Sequence, residues 1–360
     1  MKNLPAQEIN IGGKLVGNNH PTYFIADIAS NHDGSLKRAK ELICLAAEAG
    51  ADAAKFQHFE AQTIVSEYGF KSLGGQLSHQ ASWKKSVFEV YKDASLNKDW
   101  TGELSEACKK AGIAFMTSPY SIELAEMVKP YIAAYKIGSG DITWPEIISF
   151  ISKQGKPVIL ATGASTKDEV LRAVDIILDG TDKLVVMQCN TNYTTSSDNF
   201  KYINLQVLNT YRKMFGDVIL GLSDHTPGHS TVLGAIAMGA RVIEKHFTDD
   251  TTREGPDHHF AMDKRTWEEM VERSRELELA IGDGIKKIEE NEKDSSVIQR
   301  RALRFTKDLK KGHVLQAEDL FPLRPIPSDG LAPYRIKDVT GKKLVRDVVA
   351  KSHISLEDVE

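Results

Sequence analysis

Two lysines and two histidines sit where ordinary packing does not call for them. Lys55 lies in AAKF and Lys136 in AYKI, each flanked by apolar residues. A lysine inside a buried strand is rarely tolerated without an anion beside it. Two such lysines suit a doubly charged ligand such as a phosphate. A Schiff-base aldolase would need only one, and a structural pairing with Asp27 or Glu244 is the third reading. His225 and His246 lie 21 residues apart, each at the end of an apolar run, VILGLSDH and RVIEKH. If those runs are neighbouring strands, the rings converge. Two imidazoles suit a borderline divalent ion with positions left open for an oxygen substrate. His258 and His259, in GPDHHF, offer further ligands or substrate contacts. Asp27, Asp141, Asp224 and Asp257 add carboxylates for proton traffic. Together these groups point to carbon–carbon or carbon–oxygen chemistry on a phosphorylated small molecule.

Something must hold these residues together. Eight short apolar runs are spaced along the chain: 22–29, 53–57, 114–118, 133–138, 157–163, 183–189, 218–224 and 241–248. Near-continuous apolar runs are what strands buried on both faces look like. Helical patterns alternate with them. Ser35 caps the first, where Leu36, Ala39, Ile43 and Ala46 recur at helical spacing and Gly50 ends it. Others follow at 99–111, 122–128, 144–153, 167–178, 204–213, 230–238 and 264–280. Eight strands alternating with eight helices predict a (β/α)8 barrel, whose chemistry sits at the C-terminal ends of the strands. No GxGxxG follows the first strand, which weighs against an open doubly wound sheet. The strand ends then offer Asp27 with Ser30, Asn31 and His32; Lys55 and Gln57; Thr117 and Ser118; and Lys136, Ser139 and Asp141. Next come Thr162; Gln188 with Asn190, Thr191, Asn192 and Tyr193; Ser223, Asp224 and His225; and Glu244 and His246. INIGG and KLVG near the N-terminus read as a hairpin plugging the barrel's bottom. The stretch from His58 to Asn97 is long for a βα connection and reads as a lid or partner-contact segment.

Composition bounds the class. The 360 residues are 41% hydrophobic with a net charge of −4, which suits a globular enzyme and not a nucleic-acid binder. Three widely spaced cysteines, Cys44, Cys108 and Cys189, match neither a disulfide framework nor a CxxC metal site and suggest a reducing compartment. No apolar run reaches the ~18 residues of a membrane span, and the N-terminus lacks a signal-peptide core. A soluble cytoplasmic protein is expected. Residues 297–360 hold 13 Lys/Arg against 9 Asp/Glu and four of the 12 prolines. The polar stretch IKKIEENEKDSS precedes them. The expected division is a barrel over 1–284, a linker over 285–296 and a small domain over 297–360. Within that tail, FPLRPIP is too rich in proline for a central strand and reads as a fixed loop holding Arg324 out.

The strand ends AKFQ, YKIGSGD, GLSDHT and EKHFT, with GPDHHF, resemble those of the sialic acid (N-acetylneuraminate) synthases. The tail RRALRFTKDLKKGHVLQAEDLFPLRP is similar to that family's β-rich antifreeze-like (SAF) domain. The resemblance implies condensation of phosphoenolpyruvate with an N-acetylmannosamine-type amino sugar to a nonulosonic keto acid. It implies that Lys55, Lys136, Thr117, Ser139 and Ser223 bind phosphoenolpyruvate. His225 and His246 would be ligands of a divalent metal, Mn2+ with Mg2+ or Co2+ as alternatives. Gln57, Tyr193 and Asp257 would contact the acceptor, and Asp27 or Asp141 would activate water. Arg324 would reach a neighbouring subunit's site in a domain-swapped homodimer. Asp27 and Asp141 stand where that family usually has glutamate. Ala161 replaces a serine, Thr191 an asparagine, and Thr194 a proline. A class I aldolase and a non-enzymatic carbohydrate-binding protein are the alternative readings.

Overall fold

The structure is a computed structural model that describes residues 3–73, 76, 80–81 and 83–360. The chain divides into two compact units between Gly282 and Asp283. In the first, strands β1 (Glu8–Ile11) and β2 (Lys14–Gly17) form an antiparallel hairpin. Eight parallel strands then close into a barrel: β3 (Tyr23–Asp27), β4 (Ala53–His58), β5 (Ala114–Pro119), β6 (Tyr135–Ile137), β7 (Val158–Ala161), β8 (Leu184–Cys189), β9 (Ile219–Asp224) and β10 (Ala240–His246). β10 pairs with β3 to complete the circle. The barrel expectation therefore holds, with strand ends shifted by at most two residues.

Helices fill the outer layer where the periodicity places them. Leu36–Glu48 starts at Ser35, whose side chain accepts from the Arg38 N–H. Ile122–Val128 starts at Ser121, and Lys167–Gly180 starts from a capping box between Thr166 and Glu169. Such caps satisfy N–H groups that the helix itself leaves unpaired. Between helices and barrel lies one apolar layer that includes Phe24, Phe56, Tyr135, Leu160, Val186 and Ile243.

The barrel interior is a second core. Its lower layers are Tyr23, Ile25, Ala53, Met116, Ile159, Val185, Met187 and Val242, joined from below by Ile9, Ile11 and Val16 of the hairpin. The hairpin thus plugs the bottom, as the sequence suggested. Gly12 makes this possible. Its φ is +61°, and a Cβ there would lie 2.6 Å from the Ala114 Cβ.

Among the described residues, the long stretch after β4 holds the short α-helices Ala61–Ile64, Glu67–Ser72 and Val87–Ala94. No helix among the described residues is long and apolar enough to cross a membrane.

The second unit, Asp283–Glu360, carries the antiparallel pair β11 (Ala302–Phe305) and β12 (Leu320–Leu323). Its core includes Leu303, Phe305, Leu315, Leu331, Leu344 and Ile354. Strand β12 corrects the loop reading of FPLRPIP in part, because Phe321, Pro322 and Leu323 belong to it. A two-stranded sheet has only edges, so the N–H that Pro322 lacks is not missed. Arg324 follows the strand and is exposed.

Candidate active site

Strand alternation decides which polar side chains share the barrel interior, since successive residues face opposite sides. In β3 and β4, Tyr23, Ile25 and Asp27 face inward with Ala53, Lys55 and Gln57. In β9 and β10, Ser223 and Glu244 face inward, with His225 and His246 two residues further on. Asp27 is paired in register with both Lys55 and His246. The top of the interior is therefore a charged layer above an apolar plug.

Four ionic groups form that layer. Lys55 Nζ donates to Asp27 Oδ2 at 2.7 Å and lies 3.9 Å from Glu244 Oε2. Lys136 Nζ donates to Glu244 Oε1 at 3.0 Å, and the Ser223 hydroxyl donates to the same oxygen at 3.1 Å. Gln57 Nε2 reaches Asp27 Oδ2 at 3.4 Å. All four charged residues are at most 4% exposed. Burial opposes ionisation of Glu244, but Lys136 and Lys55 overcome it and hold the carboxyl at about 2. Burial also opposes the Lys55 ammonium, and the Asp27 and Glu244 carboxylates hold it above its ordinary value. Asp27 is pushed above the usual carboxylate range by burial, despite Lys55. Glu244 Oε2 is buried without a hydrogen-bond partner. The layer thus holds two ammonium groups around a carboxylate with acceptor capacity to spare.

The histidines converge beside it. The His225 and His246 ring centroids are 5.4 Å apart. Burial lowers both to about 4, in His246 against the pull of the Asp257 carboxylate, so both imidazoles are neutral at pH 7. His225 Nδ1 bonds the Asn190 carbonyl at 2.8 Å, which puts the proton on Nδ1 and leaves Nε2 with a lone pair. His246 Nδ1 is buried without a partner. Two neutral rings, one oriented by a backbone carbonyl and one carrying an orphaned nitrogen, fit a divalent cation. Tyr193 packs on His225 at 4.3 Å between centroids, and Phe260 on His246 at 4.9 Å.

A cleft opens above, lined by Ser30, Gln57, Tyr193, His246 and Asp257 together with Phe59, Trp83, Tyr91 and Tyr120. Asp257 is held from the opposite loop, where its Oδ2 accepts the Ser30 N–H at 3.2 Å. Ser139 follows β6, its hydroxyl accepting the Gly163 N–H at 2.9 Å.

Several strand-end candidates face the other way. The Thr117 hydroxyl bonds the Phe56 carbonyl and His58 Nδ1, on the helix side of the barrel. It offers the interior no hydroxyl, and Ser118 is the residue of β5 that faces inward. Thr162 bonds the Met187 carbonyl and the Tyr211 hydroxyl, and Gln188 bonds the Ile203 carbonyl. Asp224 is removed from the mouth for the same reason. Its carboxylate is tied to Lys245, Thr226 and Thr231 behind the strand. Nor do His258 and His259 extend the histidine pair. His258 is fully buried between Thr248 Oγ1 at 2.8 Å and Asp33 Oδ1 at 2.9 Å, and His259 is exposed. Asp33 is also gripped by Arg253 at 2.7 Å. This clamp holds the loop that carries Asp257. Asp33, Thr248 and Arg253 of this clamp, with Lys245, Phe260, Trp83, Tyr91 and Tyr120, carry no sequence signal that marks them, because no spacing rule links them.

A profile of the NeuB family matches residues 42–286, and one of the SAF domain matches residues 300–360. The chain belongs to the NeuB family. Among NeuB-family relatives, the N,N'-diacetyllegionaminic acid synthase of Legionella pneumophila is 33% identical over 355 residues, covering 97% of this chain and 98% of its own. The pseudaminic acid synthase of Campylobacter jejuni is 33% identical over 331 residues, covering 91% and 93%. The N-acetylneuraminic acid synthetase of Leptospira borgpetersenii, solved with citrate, superposes with a TM-score of 0.70 at 27% identity, covering 81% of this chain and 96% of its own. The named relatives of this NeuB chain are thus acid synthases acting in nonulosonate formation, and both of its parts, barrel and SAF domain, are those the motifs indicated.

Asp141 yields a prediction that separates stability from activity. It has no ion-pair partner among the described residues, and burial pushes its carboxyl up to about 6. The native state therefore holds this proton longer than the unfolded chain does. Ionising it above about 6 destabilises the fold, while below about pH 4 both states are protonated and the penalty vanishes. Asp141→Asn should melt at a higher temperature than the parent at pH 8. That gain should shrink as the pH falls through about 6 and disappear near 4. Melting curves across this range check it, and a gain that does not vary with pH would contradict the assignment.

Proposed function

We propose that this chain condenses phosphoenolpyruvate with an N-acetylmannosamine-type amino sugar, releasing phosphate and a nonulosonic keto acid. The observation that carries the proposal is the enclosed Lys55–Asp27 and Lys136–Glu244 layer directly beside the neutral His225–His246 pair. In this reading Lys55 and Lys136 exchange their carboxylate partners for the phosphate and carboxylate of phosphoenolpyruvate, with Ser223 and Ser139 completing the anion site. Ser118 takes the inward place on β5. Fixed charges in a water-poor pocket stabilise the anion without reorganisation. Gln57, Tyr193 and Asp257 orient the acceptor so that its aldehyde carbon meets carbon 3 of phosphoenolpyruvate. His225 and His246 would hold the divalent cation, Mn2+ with Mg2+ or Co2+ as alternatives, which supplies a Lewis acid for the aldehyde oxygen. After the carbon–carbon bond forms, water adds at carbon 2 of the phosphoenolpyruvate portion, and the C–O bond to phosphate breaks. Asp27, already hydrogen-bonded to Lys55 and Gln57, orients that water. Asp141, raised to about 6, is suited to carry its proton.

Lysine chemistry argues against the aldolase alternative. A Schiff-base lysine must offer a free amine near neutral pH, whereas Lys55 is held above its ordinary value by Asp27 and Glu244. The assembly we infer is a homodimer in which the SAF domain of one chain brings Arg324 to its partner's barrel mouth. Phosphoenolpyruvate as substrate suits a cytoplasmic setting. Phosphate release from phosphoenolpyruvate, measured with and without amino sugars, tests the reaction. Release that does not depend on the sugar would refute it.

The histidine assignment has its own readout. His225→Ala and His246→Ala should each lower metal affinity by about tenfold or more, because even outer-shell losses cost 10–100-fold. Metal content after equilibrium dialysis, with circular dichroism to confirm folding, reports this without an activity assay. A single variant that retains parental metal content removes that residue from the ligand set.

A further inference from the structure

We infer that the buried Asp224–Lys245 pair, on the helix side of the barrel, is a positioning device that holds His225 and His246 in their metal-binding arrangement. The inference rests on the histidine reading given above and names what fixes the two rings.

Each member of the pair adjoins a histidine in the chain, Asp224 before His225 and Lys245 before His246. β9 and β10 are neighbouring parallel strands, and their register sets Asp224 beside Lys245. Alternation sends these two side chains to the helix side and the two imidazoles to the interior. Lys245 Nζ donates to Asp224 Oδ2, which bridges the strands, and to the Thr226 carbonyl at 2.6 Å, which bridges β10 to the loop after His225. The same carboxylate oxygen accepts the Thr226 and Thr231 hydroxyls, each at 2.8 Å. Thr231 belongs to the helix Ser230–Ala237 that follows. One carboxylate therefore gathers both strand ends, the loop after β9 and the first turn of the next helix. Asp224 and Lys245 are both buried.

Packing alone does not call for charge at this place. Lower on the same strands the helix-facing positions are apolar, with Leu220 and Leu222 on β9 and Ile243 on β10. The change from apolar to ionic comes at the level where the interior changes from plug to site. A buried ion pair adds little stability over apolar residues of similar volume, but its bonds are directional and favour one arrangement of the groups they join.

The histidines need such an anchor. The β9–β10 ladder ends at Asp224 and Lys245, one residue short of both rings. His225 is directed by the Asn190 carbonyl at 2.8 Å from Nδ1. His246 Nδ1 is buried without a partner, and Phe260 and Tyr193 pack on that ring without directing its nitrogens. The placement of His246 relative to His225 thus follows from backbone, and the Lys245 ammonium pins that backbone to the far side of the pair. Ligand positions must hold within about 0.5 Å for a site to work.

The test measures Mn2+ affinity of the full-length protein by equilibrium dialysis, with no turnover required. The double variant Asp224→Asn with Lys245→Met removes both charges, leaves no uncompensated ion and should stay folded. Its Kd for Mn2+ should rise by about tenfold or more, the cost of losing support behind metal ligands. Thr231→Val keeps both charges and the side-chain shape while removing one donor to Asp224, and should raise Kd by about fivefold. Val174→Ala is the control. It opens a cavity under the buried face of the helix Lys167–Gly180, which follows β7, and should lower the melting temperature. Its Kd should stay within about twofold of the parent, because the site is not coupled to that packing. Affinity within about twofold of the parent in both pair variants, or a loss that Val174→Ala matches, overturns the inference. The metal reading then stands or falls on His225→Ala and His246→Ala. If the double variant does not fold, Thr231→Val decides by the same limits. If the parent binds no Mn2+, the metal reading falls, and this inference with it.

Discussion

Lys136→Ala abolishes turnover and destabilises the barrel, by about 3–5 kcal/mol if the penalty is that of breaking a buried ion pair. Lys136 is 3% exposed and lies 3.0 Å from Glu244. Its removal leaves that carboxylate enclosed, with Lys55 at 3.9 Å as its nearest ammonium. The double variant Lys136→Met with Glu244→Gln removes both charges and should recover much of the lost stability, since matched removal of a buried pair is often neutral. It should recover none of the activity, because the anion site has lost its second cation. Phosphoenolpyruvate at about 100 times its Kd should stabilise the parent by about 2.7 kcal/mol. It should stabilise either variant far less. Denaturant titrations with and without phosphoenolpyruvate measure all three quantities. Equal stabilisation in parent and variants would place the phosphate elsewhere.

Mixing two inactive variants should restore activity. Arg324 is exposed immediately after β12, on the unit that follows the barrel. A guanidinium offers five donors to sugar oxygens or a carboxylate, and its proposed place is over the partner's barrel mouth. Arg324→Ala should therefore be folded but nearly inactive. A dimer of one Arg324→Ala chain and one Lys136→Ala chain contains one intact site, because the functional arginine and the functional lysine then meet. Random exchange makes half the dimers mixed, so about a quarter of parental activity should return. The less stable Lys136→Ala chain can be replaced by the double variant without changing this arithmetic. Confirmed exchange with no return of activity would confine the arginine to its own chain or to no role in the site.

Much of this molecule could be read from residue order. Apolar runs and helical spacing are local signals, and both arise from burial on a fixed period. They place eight strands and eight helices within a few residues of where they lie. Once the barrel is accepted, its C-terminal rim follows, and with it the neighbourhood of Lys55, Lys136, His225 and His246. The hairpin at the barrel's bottom was legible for the same reason, through alternating Ile9 and Ile11 around a glycine turn.

Facing was harder to read than location. A strand end exposes two alternating sets of side chains, and a shift of one residue moves a polar group from the interior to the helix layer. Thr117, Thr162, Gln188 and Asp224 look like site residues by position and are structural by orientation. Lys245 shows the same effect in reverse. It stands between Glu244 and His246 in the chain, yet it neutralises Asp224 on the opposite side of the strand. Alternation within each strand separates them, since Thr117 lies between the inward-facing Met116 and Ser118, and Asp224 between Ser223 and His225.

What the sequence determined by itself was the inventory and its coarse placement: a barrel, a separate basic tail, two lysines and two histidines at the rim. Only the tertiary structure decided the partnerships. Lys55 chose Asp27 and Lys136 chose Glu244 because barrel closure brings β10 beside β3 and across from β6. His258 left the histidine set because Asp33, 225 residues away, reaches it first. The cleft wall of Trp83, Tyr91 and Phe59 exists because the helix Val87–Ala94 folds back over the mouth. Contacts of this kind depend on closure and loop paths, which join residues far apart in the chain, and no local periodicity encodes them.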